Sequence, residues 1–272
     1  MTGSGGMFVG RVAEIGERLR DTIDLNVGDR IASLVSLSLT PLSIDAVRHV
    51  DVGTGRVWVD GSAILFESGV FARLPDDIPT DVALAVLDVA GAPAQVRRLA
   101  QPGHTVVVIG ADGKSGLLSC AQARERVGPE GRVIAVVPDR NTTAAQLLAK
   151  HYAHDLLEVD ARDALAVLDR VEAIAPNLAD LVVNCVNVPG TELASILCTR
   201  DEGIVYFFSM STSFTAAALG AEGIGKDVMM VIGNGYAKGH AEVALATLRD
   251  NPPLMEYYLR RFATPEHKRS QQ

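Results

Sequence analysis

Two textures of hydrophobic patterning divide the chain. Up to residue 75, short Val- and Ile-rich runs are separated by Gly and Asp turns, a pattern of β-strands. Strands are predicted over 7–15 and 29–37, with shorter ones at 57–59 and 63–66. Asp51-Val52-Gly53-Thr54-Gly55 reads as a turn. After Leu74-Pro75-Asp76-Asp77, short aliphatic runs alternate with amphipathic stretches. The pattern predicts a helix over 80–99 broken at Pro93, a strand over 105–109 and a helix over 115–126. A strand follows at 132–137, then a helix over 142–151 capped by Asn141, a strand at 155–158 and a helix over 161–175. The remaining elements are a strand at 181–184, a helix at 191–199, a strand at 204–209, a strand at 228–232 and a helix at 239–249.

Parallel neighbours need long crossover connections, and helices supply them. Strands alternating with helices therefore predict an α/β fold, a doubly wound parallel sheet of Rossmann type with strand order 3-2-1-4-5-6. The predicted domain limits are 1–75 for the β part, 76–262 for the nucleotide-binding part and 263–272 for a disordered polar tail.

Composition narrows the function. The chain has 272 residues, 48% of them hydrophobic, enough for a large core. A formal net charge of −8 with no basic stripe argues against nucleic acid. No apolar run approaches the ~20 residues of a membrane span, so no membrane association is expected. The opening residues lack the charged and apolar regions of a signal peptide, and a cytoplasmic location is the expectation. Cys120, Cys185 and Cys198 lie in apolar segments without metal-ligand spacing and are expected to be buried free thiols.

The strongest chemical signal is Gly110-Ala111-Asp112-Gly113-Lys114-Ser115-Gly116, directly after a predicted strand and opening a predicted helix. Such a turn needs glycine to bend tightly, to let backbone approach a pyrophosphate, and to pack helix against strand. The helix start offers free amides and a positive dipole end, Lys114 a charge and Ser115 a hydroxyl. A phosphate loop for ATP is disfavoured, because only Ala111 and Asp112 separate Gly110 from Gly113. Asp139, after the next strand, is placed to hold the adenosine ribose and favours NAD over NADP. Arg140 beside it works the other way. Polar residues that follow apolar strands, Asn184, Asn187, Ser209, Ser211, Asn234 and Tyr236, form a candidate rim around the nicotinamide.

With these motifs placed, the chain resembles the medium-chain dehydrogenase/reductase superfamily. Gly10-Arg11-Val12 to Gly28-Asp29-Arg30 is similar to the second half of its GroES-like domain, so a partial GroES-like domain is expected, with that domain's opening strands absent. Zinc-dependent members carry Gly-His-Glu where this chain has Gly5-Gly6-Met7, so the resemblance implies no metal. Within the superfamily, four segments resemble the L-erythro-3,5-diaminohexanoate dehydrogenase family. They are Thr2-Gly3-Ser4-Gly5-Gly6-Met7, Gly91-Ala92-Pro93-Ala94, Ala221-Glu222-Gly223-Ile224-Gly225-Lys226-Asp227-Val228 and Ile232-Gly233-Asn234-Gly235-Tyr236. The resemblance implies NAD-dependent oxidative deamination of a small amino acid substrate in lysine degradation, and a homodimer joined near residues 228–232. A zinc-free quinone or enone reductase and a non-catalytic nucleotide-binding protein are the alternatives.

Amine oxidation needs a base to neutralise the reacting ammonium, and opposite charges for the substrate's second ammonium and its carboxylate. Glu222, Lys226 and Asp88 are the candidate catalytic residues. Asp88 stands out because it interrupts the apolar run Val86-Leu87-Asp88-Val89-Ala90.

Overall fold

The computed structural model describes residues 6–232 and 235–264. The chain divides into two compact units, residues 1–80 and 81–272.

The first unit is built of β-strands and two short 3-10 turns, Glu17–Leu19 and Leu37–Leu39. Strands β1 (Val9–Arg11) and β2 (Arg30–Ser33) pair antiparallel, and a long hairpin follows, formed by β3 (Leu42–Asp51) and β4 (Arg56–Ala63). The last strand, β5 (Phe71–Arg73), returns to β2, giving a three-stranded sheet in the order β1-β2-β5. The predicted strands over 7–15 and 29–37 are thus shorter than expected. The two pieces at 57–59 and 63–66 are replaced by the single strand β4. Its partner β3 was missed although Leu42-Ser43-Ile44-Asp45-Ala46 alternates apolar and polar, and both faces of the hairpin are largely exposed, so these apolar residues form no buried face. The turn between them is made by Asp51, whose carboxylate accepts from the Gly53 and Thr54 amides at 2.9 and 3.2 Å.

The second unit begins with α1 (Thr80–Leu87) and α2 (Gly91–Leu99). The break falls at residues 88–90 rather than at Pro93. Pro93 is the third residue of α2, within the first turn, where amides have no intrahelical acceptor and proline costs nothing. Then come β6 (Thr105–Ile109), α3 (Lys114–Val127), β7 (Arg132–Val137), α4 (Thr143–His151) and β8 (Asp155–Glu158). They are followed by α5 (Ala164–Glu172), β9 (Ala179–Asn184), α6 (Glu192–Leu197), β10 (Thr199–Phe207) and α7 (Phe214–Ile224). The unit closes with β11 (Val228–Ile232), α8 (His240–Arg249) and α9 (Pro252–Phe262).

All six strands are parallel, in the order β11-β10-β9-β6-β7-β8, which is the expected 3-2-1-4-5-6 arrangement read from the far edge. The aliphatic runs are buried on both faces, as the continuous patterning of β6 and β7 requires. On one face Val107, Ile109, Ile134 and Val136 pack with Val167 and Val171 of α5. Register aligns Ile109 with Val136 and Asn184, and Phe207 with Asn184 and Ile232. The carboxyl ends of five strands therefore form one edge. The chain order reverses between β6 and β9, which opens a crevice there.

Two local expectations are corrected. Thr142, not Asn141, caps α4: its hydroxyl accepts from the Ala145 amide at 3.1 Å, while Asn141 folds back on Asp139. Helix α9 was not predicted, because Pro252 and Pro253 read as a stop. Proline in a first turn starts a helix equally well. Of the predicted tail, Ala263 and Thr264 are ordered against the domain, with the Thr264 amide 3.2 Å from the Asp81 carboxylate; the rest lies outside the described residues. All three cysteines are free and buried, as expected. Among the described residues, no helix is long and apolar enough to cross a membrane.

Candidate functional site

The glycine turn lies at the crevice. Gly110 leaves β6 with φ +76°, a conformation that favours glycine, and a Cβ there would meet Val186 Cγ2 at 2.9 Å. At Gly116 a Cβ would stand 2.3 Å from the Gly110 carbonyl oxygen, so only glycine lets α3 lie against the end of the strand. Gly113, the residue capping α3, is different. A Cβ there meets only the Gly110 oxygen, at 3.6 Å. Packing leaves this exposed position open, and the absent side chain makes room for a ligand against the first turn of α3. The turn therefore fits a pyrophosphate.

The other residues of the turn take separate roles. The Gly110 and Ala111 amides both donate to the Val136 carbonyl, at 3.0 and 3.1 Å, and so tie the turn to β7. Ser115, in the first turn of α3, is only 8% exposed. Asp112 faces the β7 side, where burial and then the charge of Asp139 raise its carboxyl above the usual range. Asp139 follows β7 as expected, with Oδ1 accepting from the Asn141 amide at 2.8 Å. Beside it, Asp112, Thr142, Tyr257, Arg260 and Arg261 line a cleft of about 510 Å³. Its α9 wall was invisible to the sequence reading, because the helix itself was missed.

On the β10 side of the turn lies a second polar group. Lys114, the first residue of α3, reaches Asp88 in the break between α1 and α2 at 2.6 Å. The side chains are 36% and 54% exposed, so Asp88 lies at the surface although it interrupts an apolar run. Three residues on, the Gly91 carbonyl accepts from the Tyr206 hydroxyl of β10 at 3.4 Å. Gly91 also abuts Gly235 after β11; a Cβ on it would lie 2.8 Å from the Gly235 carbonyl carbon. Tyr236 is exposed and packs edge-on to His240 at 5.2 Å between ring centroids. His240 is buried, and burial holds its imidazole below the usual range.

Asn184 is 1% exposed and committed within the protein. Its amide donates to Thr191 Oγ1 and Ser195 Oγ, both at 2.9 Å, and its oxygen accepts from the Val186 amide at 3.0 Å. It braces the loop after β9 and leaves no amide group for a cofactor. Ser209 accepts from the Ser211 amide at 3.0 Å and donates to Asn187 at 3.4 Å, within the loop after β10. Asn234 lies outside the described residues. Glu192, which the sequence reading missed, is 4% exposed and accepts from the Ser213 amide at 2.7 Å, linking the loops after β9 and β10. An acid in a helix's first turn is so common that its pattern carried no signal.

The expected grouping of Glu222 and Lys226 with the turn does not occur. Lys226 precedes β11 and donates to the Thr199 carbonyl at 2.5 Å, at the amino edge of the sheet. Glu222 lies in the last turn of α7, on the way back to that edge. Both stand a strand's length from the crevice. Asp88 alone of the three acid–base candidates lies beside the glycine turn.

Residues 1–75 match a family model described as the L-erythro-3,5-diaminohexanoate dehydrogenase N-terminal domain. The L-erythro-3,5-diaminohexanoate dehydrogenase of Acetoanaerobium sticklandii is 53% identical over 252 residues, covering 92% of this chain and 73% of its own length. The enzyme of that name from Fusobacterium nucleatum is 48% identical over 262 residues, covering 95% of this chain and 75% of its own. A mycobacterial protein solved in complex with NADPH shares the fold at 18% identity and a TM-score of 0.63, covering 94% of this chain and 71% of that one.

Proposed function

The chain belongs to the L-erythro-3,5-diaminohexanoate dehydrogenase family, and from that premise we propose that it oxidises the 3-amino carbon of L-erythro-3,5-diaminohexanoate with NAD. The products are 5-amino-3-oxohexanoate, ammonia and NADH, and the step belongs to lysine degradation. The observation that carries the cofactor is the open first turn of α3 at Gly113, set at the crevice where the strand order reverses. Bound there, the nicotinamide supplies an acceptor for hydride.

The chain's own residues do the rest. Amides of the first turn of α3 hold the diphosphate, and the helix dipole favours its charge. Asp139 receives the adenosine ribose, and its negative charge disfavours a 2′-phosphate, which supports NAD over NADP. The loops after β9 and β10, braced by Asn184 and Glu192, border the nicotinamide end. A homodimer along the open edge of β11 is part of the same reading. Its support is that β11 is an edge strand among the described residues, with exposed Met229 and Ile232 beside exposed Phe214 and Leu219 of α7.

The experiment is direct. The purified chain is mixed with 3,5-diaminohexanoate and NAD, and NADH and ammonia are measured together. Equal amounts of both support the reaction. No reduction of either NAD or NADP refutes it.

A further inference from the structure

The pair Asp88–Lys114 has no evident structural purpose. Its side chains are 54% and 36% exposed, and an ion pair so exposed adds little to stability. Asp88 also interrupts the helical run at its break, where an apolar residue would continue the pattern of its neighbours. Yet the two charges meet at 2.6 Å beside the glycine turn. They lie on the β10 side, opposite the Asp112–Asp139 side where the adenosine half is expected. The contact of Gly91 with Tyr206 fixes that placement.

We propose that Asp88 and Lys114 are the proton-transfer pair of the amine oxidation, with Asp88 the base and Lys114 its positioning partner. This rests on the reading of the chain as a diaminohexanoate dehydrogenase. The 3-ammonium of the substrate gives one proton to Asp88, which passes it to solvent. Hydride then leaves C3 with both electrons of the C–H bond, reducing NAD to NADH and leaving a C3 iminium. Water adds to C3 while Asp88 takes its proton, and Asp88 returns that proton to the nitrogen. Finally the hydroxyl proton passes to Asp88 as the C–N bond breaks, giving the ketone and ammonia, and Asp88 protonates the ammonia. The sum is substrate ammonium, NAD⁺ and water giving ketone, NADH, ammonium and one proton. The exposure of the pair suits it to exchange protons with water, and Lys114 offsets the charge of Asp88 and aims it.

The test uses Asp88→Asn, Asp88→Ala and Lys114→Met in the full chain. Three quantities are measured: kcat, NADH affinity by fluorescence titration, and the change in bound-NADH fluorescence on adding 3,5-diaminohexanoate. The expected result for Asp88→Asn is a kcat at least a hundredfold lower, with NADH affinity within threefold of the parent and the ternary complex still formed. Asp88→Ala should regain at least tenfold in kcat with added formate, which no purely structural role explains. Lys114→Met should lower kcat at least tenfold, and Lys114→Arg should restore part of it. Unchanged kcat in Asp88→Asn overturns the assignment. So does a tenfold loss of NADH affinity in that variant, which would place the pair on the nucleotide's phosphates. An inactive parent overturns the diaminohexanoate reading and the pair with it, whereas an active parent with active variants overturns the pair alone.

Discussion

Adding one methyl group at Gly113 separates ligand space from packing. Gly113 has φ −77° and ψ 169°, a conformation open to alanine, and the new Cβ would meet only the Gly110 oxygen at 3.6 Å. The fold therefore loses little: replacing a glycine cap by alanine costs about 1 kcal/mol or less. For a domain of this size that lowers Tm by roughly 2–4 °C. A bound diphosphate would feel the methyl group directly. Displacing one charge-assisted amide–phosphate bond costs about 1.5–3 kcal/mol. In affinity that is roughly 10- to 150-fold. Gly116→Ala is the contrast, since its Cβ would lie 2.3 Å from the Gly110 oxygen and the turn must shift. That variant should lose about 1–3 kcal/mol of stability through overpacking. Fluorescence titration of NADH and thermal melting read both quantities. If Gly113→Ala melts within the stated window and binds NADH as tightly as the parent, the dinucleotide does not lie on this turn.

Three further outcomes are expected. Asn184→Ala removes three hydrogen bonds, to Thr191, Ser195 and Val186, the first two buried. At about 1 kcal/mol each, the loss is roughly 3 kcal/mol, read from urea unfolding; a loss under ~1 kcal/mol would mean the loop re-forms its bonds without it. Asp139→Ser removes the charge that opposes a 2′-phosphate and should raise NADPH affinity relative to NADH by about tenfold; competitive titration with an unchanged ratio would remove Asp139 from cofactor choice. Stability should also fall at alkaline pH. Burial pushes the Cys185 thiol up to about 11 and Cys198 to about 12, from an ordinary 9.0. Thiols raised in this way favour the unfolded chain once it can ionise. Their contribution is whole below about pH 9 and is lost as pH rises through about 11 to 12. Urea midpoints measured from neutral pH upward should decline over that window, and Cys185→Ser should soften the decline.

What could be read from the chain was what local chemistry decides. Buried aliphatic runs set β6 and β7 at their predicted limits, because a strand covered on both faces reads as a continuous apolar run. The turn from Gly110 to Gly116 was equally legible, since its glycines answer to steric demands within seven residues. Alternating strands and helices then pointed to a doubly wound parallel sheet. Other features were settled by contacts between residues far apart in the chain. Asn184, Ser115 and Asp88 are all polar residues beside apolar runs, and sequence cannot tell them apart. Folding commits the first to Thr191 and Ser195, buries the second at the start of α3, and leaves the third exposed beside Lys114. Glu222 and Lys226 sit in a conspicuous motif, yet α7 runs antiparallel to the strands and carries them to the amino edge. Helix α9 hid behind two prolines, although its Tyr258 hydroxyl bonds the Lys114 carbonyl at 2.8 Å across the chain. Periodicity and turn chemistry are short-range and survive in a linear string. Which polar groups are already satisfied, and which end of the sheet a segment reaches, depend on packing that exists only once the chain has closed on itself.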